Sequence, residues 1–205
     1  MLEHASKPAI RFKGFTDDWE QRKLGEIAVL VNRNSSESTA PIMMITASNG
    51  FIEQSDRYTF NNAGASLKKY ILLNRGELAY NHGASKIRPY GSCFALTKVE
   101  NARIPFVYHC FSVNGNDAEF VSAELNGKVI EVQLRKIVSS GARMDGLLNI
   151  SFEEYSNVIL RLPQLVEQIK ISKMFTTLDR LITLHQRELE KLQNIKKACL
   201  EKMFV

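Results

Sequence analysis

The sequence predicts an α+β globular unit followed by one long α-helix, and three observations predict it. Short apolar runs, each bounded by polar turn residues, recur through residues 9–162. Helix-start signatures lie between those runs. Residues 163–204 then carry a single Pro, at their first position, no Gly, and apolar residues repeating every seven.

The elements follow in order. Residues 1–8, MLEHASKP, lack the apolar core of a signal peptide and read as a tail. DDWEQRKLGEIA (17–28) reads as a short helix: Asp17 caps it, Glu20 stands at capping-box spacing, and Gly25 stops it. APIMMIT (40–46) is an apolar run between polar segments, hence a buried strand. In YILLNRGELAY (70–80) the turn NRGE separates strands YILL and LAY. SCFALTKV (92–99) and IPFVYHCFSV (104–113) read as two more strands. NDAEFVSAELNGKV (116–129) reads as a helix ending near Asn126-Gly127. Ser151 and Glu154 mark a further helix start, and NVILRLP (157–163) is a strand closed by Pro163. Together the strands predict a curved, mainly antiparallel sheet or an open barrel.

Pro163 suits the first position of the long helix, where its missing N–H would be unpaired anyway. About 40 residues at 1.5 Å each make a rod of roughly 60 Å. Phe175, Ile182, Leu189, Lys196 and Met203 form one heptad row; Ile171, Leu178, His185, Leu192 and Cys199 form the other. Eight of these ten are apolar, which is coiled-coil spacing. Such a rod is longer than a 150-residue domain is wide, so part of its seam needs a partner, best supplied by another helix of the same kind. His185 and Lys196 interrupt the seam and can fix its register. His185 has no second metal ligand three or four residues away.

The composition, 44% hydrophobic and 24% charged, is that of an ordinary globular protein, and no run of 18 apolar residues indicates a membrane span. Three scattered cysteines argue for a reducing, cytoplasmic setting and against a disulfide frame. The net charge of +5 is compatible with nucleic acid and is shared by both parts of the chain. Phosphate loops, HExxH, G-x-S-x-G and dinucleotide fingerprints are absent, and neither histidines nor carboxylates cluster, so the chain reads as a binder and not an enzyme. AYNHGASKIRPYG (79–91) concentrates hydrogen-bonding side chains in one loop: Tyr80, Asn81, His82, Ser85, Lys86, Arg88 and Tyr90. Asn suits adenine, Arg or Lys suits guanine, and Ser or Tyr suits phosphate, although a solvated β-turn loop has the same composition. SSGARMDGLLNIS (139–151) holds Arg143 between glycines. Arg33, Asn34, Ser48 and Asn49 are further polar-loop candidates.

AIRFKGFTDDWEQRKLGEIA, YILLNRGELAYNHGASKIRPYGSCFAL, SGARMDGLLNIS and LPQLVEQIKISKMFTTLDRLITLHQRELEKLQNIKKACLEKMF together resemble the DNA-specificity subunit of type I restriction-modification enzymes, over residues ~8–204. The resemblance implies a target recognition domain at 9–162 and a helical dimerisation and spacer region at 163–205. It implies that the domain reads one half of a bipartite site in double-stranded DNA. It also implies adenine-methylating modification subunits as partners, which use S-adenosylmethionine. A restriction subunit would supply ATP- and Mg-dependent translocation and cleavage, while this chain would bind no cofactor or metal. DNA contacts are then expected from Tyr80, Asn81, His82, Ser85, Lys86, Arg88, Tyr90 and Arg143. Dimerisation is expected from Ile171, Phe175, Leu178, Ile182, His185, Leu189, Leu192 and Met203. The family has two such domains and two antiparallel helices in one subunit; this chain has one of each, so it is either a natural half-subunit or a fragment. The heptad seam favours a homodimer that supplies the other half. The alternative is a coiled-coil scaffold whose α+β domain binds protein, and a third possibility is an enzyme whose site has no known motif.

Overall fold

The computed structural model describes residues 8–36, 38–56, 64–138 and 147–204. The chain divides into two compact units, residues 1–168 and 169–205. In the first, strands β1 (Glu20–Lys23), β2 (Ala28–Leu30), β3 (Met43–Thr46), β4 (Gly50–Glu53), β5 (Ile71–Asn74), β6 (Leu78–Asn81), β7 (Ser92–Ala95), β8 (Asn101–Ile104), β9 (His109–Val113) and β10 (Ile159–Leu162) pair antiparallel throughout. Helices α1 (Leu24–Ile27), α2 (Ala118–Leu125), α3 (Lys128–Ile137) and α4 (Phe152–Tyr155) intervene, and α5 (Leu165–Met203) follows. The predicted α+β class with antiparallel strands and a long C-terminal helix is the observed one. The pairing is divided among four sheets: β2-β9-β6-β7, β1-β10, β3-β4 and β5-β8.

The central strands β6 and β9 of the four-stranded sheet are covered on both faces, which is why they are apolar runs with little polar alternation. Ala79 and Cys110, paired across β6 and β9, face a core of Met43, Ile45, Phe51, Leu73, Leu96 and Ile104. Their neighbours Leu78, Tyr80 and Phe111 point the other way. Tyr80 and Phe111 meet α4 there, with Tyr155 stacked 3.9 Å from the Tyr80 ring. Asp117 caps α2 by accepting from Phe120 N at 2.9 Å, and the predicted capping box between Ser151 and Glu154 is formed. The Asn126 side chain ties the end of α2 to β7, accepting from Cys93 N at 3.1 Å.

Three expectations are corrected. Residues 17–28 form β1, a single helical turn and β2, not one helix. Asp17 accepts from Gln164 Nε2 at 3.0 Å instead of capping, and β1 pairs with β10, a partner some 140 residues away. Gly25 lies inside that turn, where Ser156 Oγ would come within 3.2 Å of an added Cβ. The run 104–113 is broken, because Pro105 has no N–H for a ladder; β8 ends at Ile104 and a turn to Tyr108 precedes β9. Helix α5 begins at Leu165, and Pro163 precedes it, its carbonyl accepting from Gln168 Nε2 at 2.9 Å. The sequence reading also missed β4 and α3.

Arg11 pins the N-terminal segment to the start of α5 through two bonds to Glu167, at 2.7 and 2.8 Å, and Glu167 is fully buried. In the second unit the seam residues Phe175, Leu178, Ile182, Leu189 and Leu192 are 45–64% exposed. No helix among the described residues is long and apolar enough to cross a membrane.

Candidate nucleic-acid interface

The loop Asn81–Gly91 leaves the end of β6 and returns into β7. Gly91 closes it with φ +81, a left-handed conformation. A Cβ there would meet Asn81 O at 2.6 Å and the Tyr80 ring at 2.8 Å. Tyr80 is 1% exposed; its hydroxyl donates to Tyr90 O at 2.6 Å. Burial pushes the Tyr80 phenol well above its usual pKa. Asn81 donates to Ile45 O at 3.1 Å and accepts from Gly83 N at 2.9 Å. The buried His82 ring faces two carbonyls, Leu148 O at 2.8 Å and Val107 O at 2.7 Å. These three side chains are therefore internal supports of the loop, spent on its own backbone and on that of neighbouring segments. The reason lies in the strand: Tyr80 and Asn81 belong to β6, whose faces are covered.

The tip is open. Ser85 N donates to Arg88 O and Arg88 N donates to Ser85 Oγ, both at 3.0 Å, which makes a tight turn. Ser85 and Lys86 are exposed on it, and Ile87 is 68% exposed. Arg88 turns inward and donates to Asn126 O at 2.7 Å, at the end of α2. Its Nε is buried with no partner among the described residues. Tyr90 is half-buried and lends its carbonyl to Tyr80.

Behind the loop lies a ladder of rings. His82 and His109 stack at 5.2 Å, and His109 lies 6.0 Å from Tyr80. His109 Nε2 is 3.0 Å from Ile150 O. Burial lowers the His109 pKa below its usual value, opposed by that bond to Ile150 and assisted by the neighbouring His82. Through His82 and His109 the ladder grips residues 148–150, just after the segment containing Arg143, which lies outside the described residues. Cys93 and Cys110 are buried, and burial raises the Cys110 thiol to about 12; Cys199 is exposed.

The remaining candidates are scattered. Arg33 pairs with Glu77, and Asn34 accepts from Ser36 N at 2.7 Å. Ser48 and Asn49 sit in the exposed β3–β4 turn. The seam residues from Phe175 to Met203 are exposed, His185 among them, 3.2 Å from Glu188; Ile171 is half-buried. Sequence reasoning passed over Phe106, 48% exposed in the turn after β8, with Lys69 Nζ 5.8 Å above its ring. Pro105 was the available signal, since a proline inside an apolar run marks a break. Among the described residues no group of three potential metal ligands converges.

The chain matches no protein-family model and no curated protein. Its fold is similar to that of a chain from a structure on complex assembly and conformational transition of the type I R-M system. That chain is 12% identical, with a TM-score of 0.53; the match covers 94% of this chain and 51% of that one. The fold is also similar to the crystal structure of the HsdS subunit from Thermoanaerobacter tengcongensis. There the identity is 14% and the TM-score 0.56, with 90% of this chain and 48% of that one covered. The likeness at these identities is one of fold, and this chain spans about half the length of either match.

Proposed function

We propose that this chain is a non-catalytic DNA-recognition subunit of a type I restriction-modification system. The observation that carries the reading is one fold shared across the α+β unit and the 39-residue α5, over 90% of the chain. The first unit reads one half of a bipartite target in double-stranded DNA. Lys86, exposed at a loop tip held rigid from behind, takes a phosphate, and Ser85 a second polar contact. The modification subunits that methylate adenine dock on the assembly and bring S-adenosylmethionine; ATP and Mg belong to a restriction subunit. Helix α5 pairs antiparallel with a second copy along Phe175, Leu178, Ile182, Leu189 and Leu192. A two-fold axis then makes the target an inverted repeat, with a spacer set by helix length.

The experiment is duplex binding as a function of salt, on a target mapped from methylation in the source genome and on a scrambled duplex, with and without the modification subunit. Affinity falling with a log–log slope of about −0.9 per phosphate contact, and preference for the mapped target, are expected. An asymmetric target would rule out two copies of this chain as the working subunit. One observation, the exposed α5 seam, equally favours a coiled-coil scaffold whose α+β unit binds protein; that reading requires no duplex binding even at low salt.

A further inference from the structure

We propose that the turn Pro105–Tyr108 is a base-stacking element, in which Phe106 stacks on an unpaired or unstacked nucleobase and Lys69 holds the adjoining phosphate. The proposal rests on the DNA-binding reading and names a contact inside it. Phe106 is 48% exposed, yet its turn is fixed. Ile104 and Tyr108 on either side are buried, and Tyr108 N donates to Pro105 O at 3.0 Å. The next carbonyl, that of Val107, lies 2.7 Å from His82 Nε2. The same imidazole touches Leu148 O at 2.8 Å, so the turn, the loop Asn81–Gly91 and residues 148–150 meet at one ring. A rigid aromatic is thus held in water one residue from the junction of three loops.

Its neighbour sets the ligand class. Lys69 Nζ stands 5.8 Å from the Phe106 centroid, within cation–π range. Lys68 and Lys69 are exposed, and among the described residues no carboxylate pairs with either. A half-exposed ring beside the Lys69 ammonium, which no described carboxylate neutralises, fits a base and its phosphate. Every base offers a π-face, so this contact supplies affinity for distorted DNA and not sequence. An apolar wedge of this kind also suits a kinked step.

The test uses the full chain, fluorescence anisotropy, a mixed-sequence duplex, and the same duplex with one bulged base. Phe106→Ala is expected to weaken binding to the bulged duplex by roughly 5- to 150-fold, the range for one lost base–aromatic stack. Phe106→Tyr should restore it and Phe106→Leu should not. Phe106→Ala should leave the salt slope unchanged, whereas Lys69→Ala should reduce it by about 0.9. Unfolding midpoints near wild type for all four variants are part of the expected result. Wild-type affinity in Phe106→Ala, or full rescue by Leu, overturns the proposal while the DNA reading stands. A loss seen only with a protein partner assigns the turn to protein docking and overturns it too. If wild type binds neither duplex at low salt, the DNA reading fails and this proposal with it.

Discussion

Replacing Gly91 with alanine probes the closure of the candidate loop, and Gly76 provides its control. Both glycines have similar left-handed backbones, with φ of +81 and +83. Forcing an L-residue into that region costs about 1–2 kcal/mol at either site. They differ in surroundings. Around Gly76 an added Cβ meets nothing within 4 Å. At Gly91 it meets Asn81 O at 2.6 Å, the Tyr80 ring carbon at 2.8 Å and the Tyr80 hydroxyl at 2.9 Å. The first is backbone of a paired strand and the others belong to a ring wedged against Tyr155, so none of them yields cheaply. Overpacking of this kind adds about 1–3 kcal/mol. Gly91→Ala should therefore cost about 2–5 kcal/mol and Gly76→Ala about 1–2. Trp19 is the single tryptophan, packed edge-on to Phe120 at 5.7 Å, and its fluorescence reports unfolding of the first unit. Urea titrations of both variants give the difference directly. Equal losses would mean that the loop relaxes around the new methyl, and the rigid closure argued above would be wrong.

Leu178→Asp combined with Leu189→Asp should convert a dimer to monomer in light scattering, since each buried leucine contributes about 1.5–3 kcal/mol; an unchanged mass rejects the seam as a dimer interface. Spin labels at position 173 of both copies should lie tens of ångströms apart in the roughly 60 Å antiparallel pair, and a short distance would indicate a parallel one. Lys86→Ala should weaken all duplexes alike and reduce the salt slope by about 0.9 with no change in stability. Arg88→Ala, by contrast, should lower stability along with affinity, because it deletes the bond to Asn126 O; near-wild-type unfolding would return Arg88 to the surface contacts. Burial holds His109 below its unfolded pKa of 6.5, so the unfolded chain takes the extra proton. Stability is then full above about pH 6.5 and falls as pH drops through the window beneath it. A wild-type pH slope retained in His109→Asn would assign that loss to other groups.

The sequence carried the α+β class and the long helix because both rest on local periodicity. Met43–Thr46 and Ser151–Glu154 were legible for the same reason: a run between turns and a capping box are statements about neighbours. The Glu20–Lys23 strand was not legible, because EQRK has no strand signature and its only cause is β10, far away in the chain. The site divides in the same manner. Composition singled out the 79–91 loop, but the inward turn of Asn81, His82 and Arg88 depends on Ile45, Val107, Leu148 and Asn126, contributed by other elements. Residue type revealed which groups could bind, whereas packing determines which remain free to do so. Phe106 shows the converse, an apolar residue that the fold leaves in water.

The β1–β10 pairing also orders events on the ribosome. Residues 20–23 emerge before residues 159–162 and have no ladder partner until those follow. That pairing closes over nearly the whole unit, so it belongs to the slow, long-range class of contacts. At about 5–20 residues per second the roughly 140 residues that separate β1 from β10 take roughly 7–28 s to make, an interval in which β1 waits without its ladder partner.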